Sequence, residues 1–310
     1  MYITYTENSQ ALGKALVKRL KGAVLPVERR QFADGERYLR LSVPDATTLA
    51  GEDVVVVGST HTDEDLLEIY RLGCTLADMG TRRRIFVIPF FGYSTMDRSK
   101  RAGESVAAKH NARLLSSIPN SNEGNMFVLL DLHEPVLVHY FEGSTVAIEI
   151  SAEAMLLAAI RKMKLKSFVL GSADLGMPRQ VMSLAEKLNV PVALVSKARE
   201  FEHTQTLACV GNVHGNDVVM YDDMIRSGSS LIQAAEAYEE AGANNVYAVV
   251  SHLALTTENV LTQLKNSPLK AIITTNSHPM SQLKSVQKSK HITVLDISSV
   301  VANTIEKLIS

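Results

Sequence analysis

The 310-residue chain has no tryptophan, and aromatic residues of all kinds make up only 5% of it. It is also short of cysteine, with two residues, Cys74 and Cys209, far apart and each in an apolar segment. A disulfide-stapled secreted scaffold is thereby excluded, and both are expected to be buried free thiols in a reducing compartment. No run of about 18 apolar residues occurs, so no membrane-spanning helix is expected. The opening Met1-Tyr-Ile-Thr-Tyr-Thr-Glu7 lacks the basic lead and apolar stretch of a secretory signal, which points to the cytoplasm. Charge of one sign is lacking too: 32 basic side chains face 33 acidic ones. A broad nucleic-acid-binding face is not implied, although a local phosphate site remains open.

What the chain does have is alternation. Continuous apolar runs such as Val54–Val57, Arg84–Pro89 and Met126–Asp131 suit strands buried on both faces. Between them lie segments with one apolar stripe at helical spacing, Glu64–Met79 and Ser105–Leu115. The second half repeats the rhythm. Helices are predicted at Ser151–Met163, Gln180–Leu188 and Ser230–Ala241, with a last one from Ser298. Strands are predicted at Ser167–Leu170, Val190–Ser196, Asp217–Tyr221, Val246–Ser251, Ala271–Thr275 and Ile292–Asp296. Such alternation means an α/β protein with parallel sheets and helices on both faces. At about 150 residues per domain the length suggests two of them. The least committed stretch, Glu142–Ile150, is the expected boundary.

The strongest local signal is Val218-Val-Met-Tyr-Asp222-Asp223-Met-Ile-Arg226-Ser227-Gly228-Ser229-Ser230. A strand ends in two carboxylates, then Gly and hydroxyl residues lead into a helix. Ligands of open parallel sheets bind at the carboxyl ends of strands. A helix start offers unpaired N–H groups and a positive dipole end to a phosphate. Asp222 and Asp223 could accept from sugar hydroxyls or hold a divalent metal. Read alone, the segment is also an ordinary capped helix after a turn.

This segment resembles the phosphoribosyl diphosphate loop of the type I phosphoribosyltransferase fold. There the two acids are followed by Thr-Gly-Gly-Thr, which is here Ser227-Gly228-Ser229-Ser230. Five further segments, in order, are similar to those of the ribose-phosphate pyrophosphokinases. They are Phe32-Ala-Asp34-Gly35-Glu36, Asp97-Arg98, Asp131-Leu132-His133, Ser172-Ala-Asp174 and Lys197-Ala-Arg199. The Arg-Gln pair that touches nucleotide in that family is Thr95-Met96 here, and the departures mark a divergent branch, with likeness to a phage ADP-ribose pyrophosphate synthetase type.

The resemblance implies two type I phosphoribosyltransferase-like domains, each a mostly parallel sheet flanked by helices. Residues 1–148 would form the ATP side, joined by the C-terminal helix 297–310, and residues 149–296 the sugar-phosphate side. It implies transfer of the β,γ-diphosphate of ATP to the C1 hydroxyl of ribose 5-phosphate. The alternatives are the same transfer to ADP-ribose, or a non-catalytic regulatory subunit. Lys197 and Arg199 would be catalytic, on a mobile loop. Phe32, Asp34, Glu36, Asp97, Arg98 and His133 would bind ATP, the first three in a neighbouring subunit's site. Asp222, Asp223, Arg226, Ser227, Gly228, Ser229 and Ser230 would bind the sugar phosphate. Asp131, His133 and Asp174 would organise Mg2+. The implied partners are ATP and a ribose 5-phosphate-type substrate, with no nucleic acid and no membrane, in a homo-oligomer, a dimer or a hexamer.

Overall fold

The structure, a computed structural model, describes residues 1–120, 123–173, 178–199 and 205–310, with the backbone alone at 178, 197–199 and 205–207. It divides into two compact units, one of Met1–Ser151 with Asp296–Ser310 and the other of Ala152–Leu295.

The first unit runs β1 (Tyr2–Tyr5), α1 (Gln10–Leu20), β2 (Ala23–Val24), β3 (Val27–Gln31), β4 (Arg37–Leu41), β5 (Asp53–Val57), α2 (Asp63–Asp78), β6 (Arg83–Ile88), α3 (Ala107–Ser116), β7 (Asn125–Leu130) and β8 (Val146–Ile150). Its main sheet has the order β2-β1-β5-β6-β7-β8, with every pairing parallel. The valines of β5 and the Ile85–Ile88 run of β6 are buried because helices cover both faces. Phe86 and Phe127, on neighbouring strands, stack at 4.6 Å between ring centres. The β3–β4 pair is a separate antiparallel hairpin.

In the second unit, α4 (Glu153–Lys162), β9 (Phe168–Ser172), α5 (Pro178–Leu188), β10 (Val192–Arg199), β11 (Gln205–Val210), β12 (Asp217–Ile225), α6 (Ser229–Glu240), β13 (Val246–Leu253), α7 (Asn259–Lys265), β14 (Leu269–Thr275), α8 (Lys284–Gln287) and β15 (Ile292–Leu295) follow; α9 (Ser298–Ile309) then returns to the first unit, where it packs on α1. The sheet order is β11-β10-β9-β12-β13-β14-β15, parallel throughout except for the β10–β11 hairpin. From β9 the chain goes outward to β10 on one side and then crosses to β12 on the other. The two directions part between β9 and β12, and such a switch point opens a crevice at the carboxyl ends of the strands.

Three expectations need correcting. Residues 142–150 are not an uncommitted stretch, since they contain the edge strand β8, whose residues are exposed or half-buried and so lack the signal of a strand buried on both faces. The strand carrying Asp222 and Asp223 runs on to Ile225, so both acids sit within β12 and not beyond its end. Cys74 and Cys209 are free but half-buried. No helix among the described residues is long and apolar enough to cross a membrane.

Helix α2 shows how local sequence sets an element boundary. Thr62, its N-cap, accepts a hydrogen bond from the Asp65 N–H at 3.1 Å and donates its own hydroxyl to the Asp65 carboxylate at 2.5 Å. Burial would push the Asp65 carboxyl up, yet hydrogen bonds from His61, Thr62 and Asn8 and the charge on His61 hold it below its usual value. Replacing Thr62 with Ala is expected to cost about 1 kcal/mol of stability, measured by thermal unfolding.

Candidate active site

The sequence-predicted residues of the first unit stand at carboxyl ends of its strands, with one exception. Asp97 and Arg98 lie in the loop after β6, and Asp131 and His133 directly after β7. The exception is the β3–β4 hairpin tip. There Phe32 N–H donates to Glu36 O (2.8 Å), Glu36 N–H donates to the Asp34 carboxylate (3.1 Å), and Gly35 takes a positive φ of 92°. Phe32 is 52% exposed and meets Tyr38 edge-on at 6.5 Å. The hairpin is tied to α2 by the Arg29–Glu68 and Arg37–Glu64 ion pairs.

Asp97 is buried and Arg98 exposed. The Arg98 guanidinium donates Nε–H to Asp97 Oδ2 at 2.8 Å and Nη2–H to Glu134 Oε1. The negative charges of Asp97 and then Glu134 raise its pKa, so the cation is firmly held. Two of its five donors are thereby engaged. Glu134 follows His133, so this contact joins the β6 loop to the β7 loop. Tyr140 Oη–H donates to Asp97 O at 2.8 Å and fixes the same segment from behind.

Asp131 has a left-handed backbone, φ 40°, a conformation that costs a non-glycine residue on the order of 1 kcal/mol or more. Its N–H donates to Ile150 O at 3.0 Å, and Ser151 Oγ–H donates to its Oδ1 at 2.6 Å. The next N–H, that of Leu132, donates to Glu149 Oε1 at 2.9 Å. Although Glu149 is exposed, partial loss of hydration at its carboxyl pushes it up; the Leu132 N–H opposes this, and the Asp131 charge adds to the rise. Glu149 escaped the sequence reading because it lies in the stretch assigned to no element; its one available signal was an acid in an apolar run.

In this unit the topological switch point falls between β1 and β5, where one hydrogen bond joins the two loops, and a second ties the loops after β5 and β6. Ser59 N–H donates to Ser9 Oγ at 3.1 Å and Gly92 N–H to Thr60 Oγ1 at 2.8 Å. The loops after β5 and β6 lie so near that a Cβ on Gly92 would sit 1.9 Å from Thr60 O.

In the second unit the switch point carries the candidate residues. Asp223 is buried, Asp222 half-buried, and the Asp223 N–H donates to Asp222 Oδ1 at 2.9 Å. Arg226, Ser227, Ser229 and Ser230 are exposed around Gly228, which opens α6 with φ 75°. The Ser227 and Ser229 hydroxyls are 2.8 Å apart. Across the crevice β9 ends at Ser172, whose hydroxyl is buried without a hydrogen-bond partner among the described residues. Behind it, the one hydroxyl proton of buried Tyr238 on α6 is shared between backbone carbonyls of β9 and β10, Ser172 O at 3.0 Å and Ala193 O at 2.9 Å, and its oxygen accepts from Ser172 N–H at 3.2 Å. Burial drives the Tyr238 phenol far above its ordinary value.

Lys197 and Arg199, expected in a loop, lie on β10 opposite Leu207 and Gln205 of β11. Asp174 lies outside the described residues. Among the described residues no group of three or more His, Cys, Asp or Glu side chains is gathered as a metal cage. A groove of about 680 Å³ between α5 and the β10–β11 edge, lined by Met182, Leu194 and Val210, contains none of the motif residues.

Two helix-flanked parallel sheets, one with a hydroxyl-rich glycine turn at its switch point, define an α/β protein of the phosphoribosyltransferase fold class. The phosphoribosylpyrophosphate synthetase of Mycobacterium smegmatis shares this fold, with a TM-score of 0.87 at 24% identity over 99% of this chain and 98% of that one. Residues 1–118 match the N-terminal domain of ribose phosphate pyrophosphokinase, and residues 172–310 match the phosphoribosyl synthetase-associated domain. The ribose-phosphate pyrophosphokinase of Vibrio cholerae is 30% identical over 90% of this chain and 86% of its own length. That of Fusobacterium nucleatum is 28% identical over 96% and 91%. The chain belongs to the ribose-phosphate pyrophosphokinase family.

A Gly228→Ala variant would force a side chain into a left-handed turn and press it within 3.1 Å of Val260. The expected loss is about 1 kcal/mol or more, read from the thermal midpoint. Gly92→Ala should lose still more, about 1–3 kcal/mol, because the clash is with backbone.

Proposed function

We propose that the chain transfers the β,γ-diphosphate of ATP to the C1 hydroxyl of ribose 5-phosphate, giving phosphoribosyl diphosphate and AMP. The observation that carries this reading is the β12–α6 turn at the switch point, where two carboxylates precede a left-handed glycine and a hydroxyl-rich helix start. The names of the relatives support it. The alternatives, an ADP-ribose acceptor or a non-catalytic subunit, are not favoured by them.

The first unit is read as the ATP side and the second as the sugar-phosphate side. In the second unit, Ser227, Ser229, Ser230 and the first N–H groups of α6 would take the 5-phosphate, with Arg226 adding charge. Asp222 and Asp223 would accept from the ribose hydroxyls. In the first unit, Arg98 would meet ATP phosphates with donors beyond the two that Asp97 and Glu134 engage, and the hairpin tip of Phe32, Asp34 and Glu36 would complete an ATP site across an oligomer interface. Family members use ATP with a metal, and Asp131 offers the hard carboxylate oxygen that Mg2+ prefers, with His133 two residues on; Asp174, outside the described residues, keeps the metal role that the resemblance implies. Bound there, Mg2+ would neutralise phosphate charge.

In the reaction the C1 oxygen forms a bond to the β-phosphorus, the bond from that phosphorus to the α–β bridging oxygen breaks, AMP departs with that oxygen, and the hydroxyl proton passes to solvent. Charge grows on oxygens around the moving group. Orientation and fixed cations therefore outweigh covalent help. Lys197 and Arg199 are assigned to that charge.

Incubation with ATP, Mg2+ and ribose 5-phosphate should release AMP and yield phosphoribosyl diphosphate by mass spectrometry; product formed only with ADP-ribose would overturn the acceptor. Lys197→Ala should lower kcat about 100-fold or more while the KM for ATP holds, because its contact strengthens as charge develops. Arg98→Met should instead raise the KM for ATP about tenfold, the loss of one charge-assisted phosphate contact.

A further inference from the structure

The carboxyl end of β8 grips the segment after β7 through three consecutive residues. Ile150 O accepts the Asp131 N–H at 3.0 Å, Glu149 Oε1 accepts the Leu132 N–H at 2.9 Å, and Ser151 Oγ–H donates to Asp131 Oδ1 at 2.6 Å. Between them these bonds fix two successive peptide units and the carboxylate of a residue with a φ of 40°. The buried Leu132 side chain pins the same turn into the apolar core of the first unit. A non-glycine residue holds a left-handed backbone only where its surroundings over-determine it. Here the Ile150 bond belongs to the ladder and would exist for any residue. The Glu149 and Ser151 bonds are made by side chains, and they are what this sequence adds.

We infer that Glu149 and Ser151 are positioning residues for the reaction: Glu149 fixes the peptide between Asp131 and Leu132, and Ser151 the rotation of the Asp131 carboxylate. Neither touches substrate. Together they fix the backbone that carries Asp131 and His133 and the set of the Asp131 carboxylate. The inference rests on the proposed role of those two residues at the ATP–metal site. It assigns Glu149 the task of a hydrogen-bond acceptor and not of a charge. Glutamine keeps an acceptor oxygen on a side chain of the same length, while alanine removes it.

The test compares Glu149→Ala, Glu149→Gln, Ser151→Ala and Asp131→Asn in the full chain. Steady-state kinetics are read for ATP and for ribose 5-phosphate separately, together with hydrogen exchange at the Leu132 amide. Glu149→Ala should lower kcat/KM for ATP about tenfold and leave the KM for ribose 5-phosphate unchanged. Its Leu132 amide should exchange at least about tenfold faster. Glu149→Gln should restore both to within about threefold. Ser151→Ala should reduce kcat/KM for ATP in the same direction, and it carries the test if Glu149→Ala fails to fold.

The inference is overturned if Glu149→Gln is as impaired as Glu149→Ala, because the charge would then be the operative property. Unchanged ATP kinetics in both Glu149→Ala and Ser151→Ala overturn it as well. Asp131→Asn separates the two layers of argument. If it too leaves ATP kinetics untouched, the assignment of Asp131 has failed; if it is crippled while the β8 variants are not, only the positioning role has.

Discussion

Parallel pairing is the constraint on which the rest of the molecule depends. When strands run the same way, every one delivers the chain to the same edge of the sheet, and the connecting helices start from that edge with their first N–H groups unpaired. Polar loops and positive dipole ends therefore collect along one margin of each unit. The loops after β6, β7 and β12 all lie on such a margin, and each carries a motif residue. The apolar layers of Val54–Val57, Phe86, Phe127 and Val218–Met220 hold the strands in register, and the chemistry at the margin is placed by that packing.

The two units use their margins differently. In the second, the switch point between β9 and β12 presents Asp222, Asp223 and the Gly228 turn. In the first, Ser9 and Ser59 are hydrogen-bonded across the equivalent place, and the motif residues stand in the loops after β6 and β7. Architecture alone thus does not say which strand end is functional. The identity of the side chains and the closeness of the loops decide it.

Much of the fold was legible in the sequence because strands buried on both faces read as unbroken apolar runs, and helices against a sheet show a single stripe. Val54–Val57 and Glu64–Met79 are instances, the latter shifted by one residue because the Thr62 cap sets the true start. Among the elements that escaped are β8, at a sheet edge, and the β3–β4 hairpin, outside both main sheets; β1 and α1 escaped as well, β1 because four residues are too short a run to stand out. At the site, motif residues announced themselves through unusual composition, as in Asp222-Asp223 and Ser227–Ser230. Glu149, Ser151 and Glu134 did not, because their roles come from through-space contacts with Leu132, Asp131 and Arg98. No periodicity encodes a contact of that kind.

The Tyr238 hydroxyl gives α6 a mechanical character. This helix begins at the glycine turn and, near its other end, is bolted to the carbonyls of Ser172 and Ala193 on two adjacent strands. A rigid rod so fastened cannot shift at its tip without straining the bolt. The serine-lined turn and the terminus of β9 are thus held by one helix, so that a displacement of either side of the crevice would load the same hydrogen bonds.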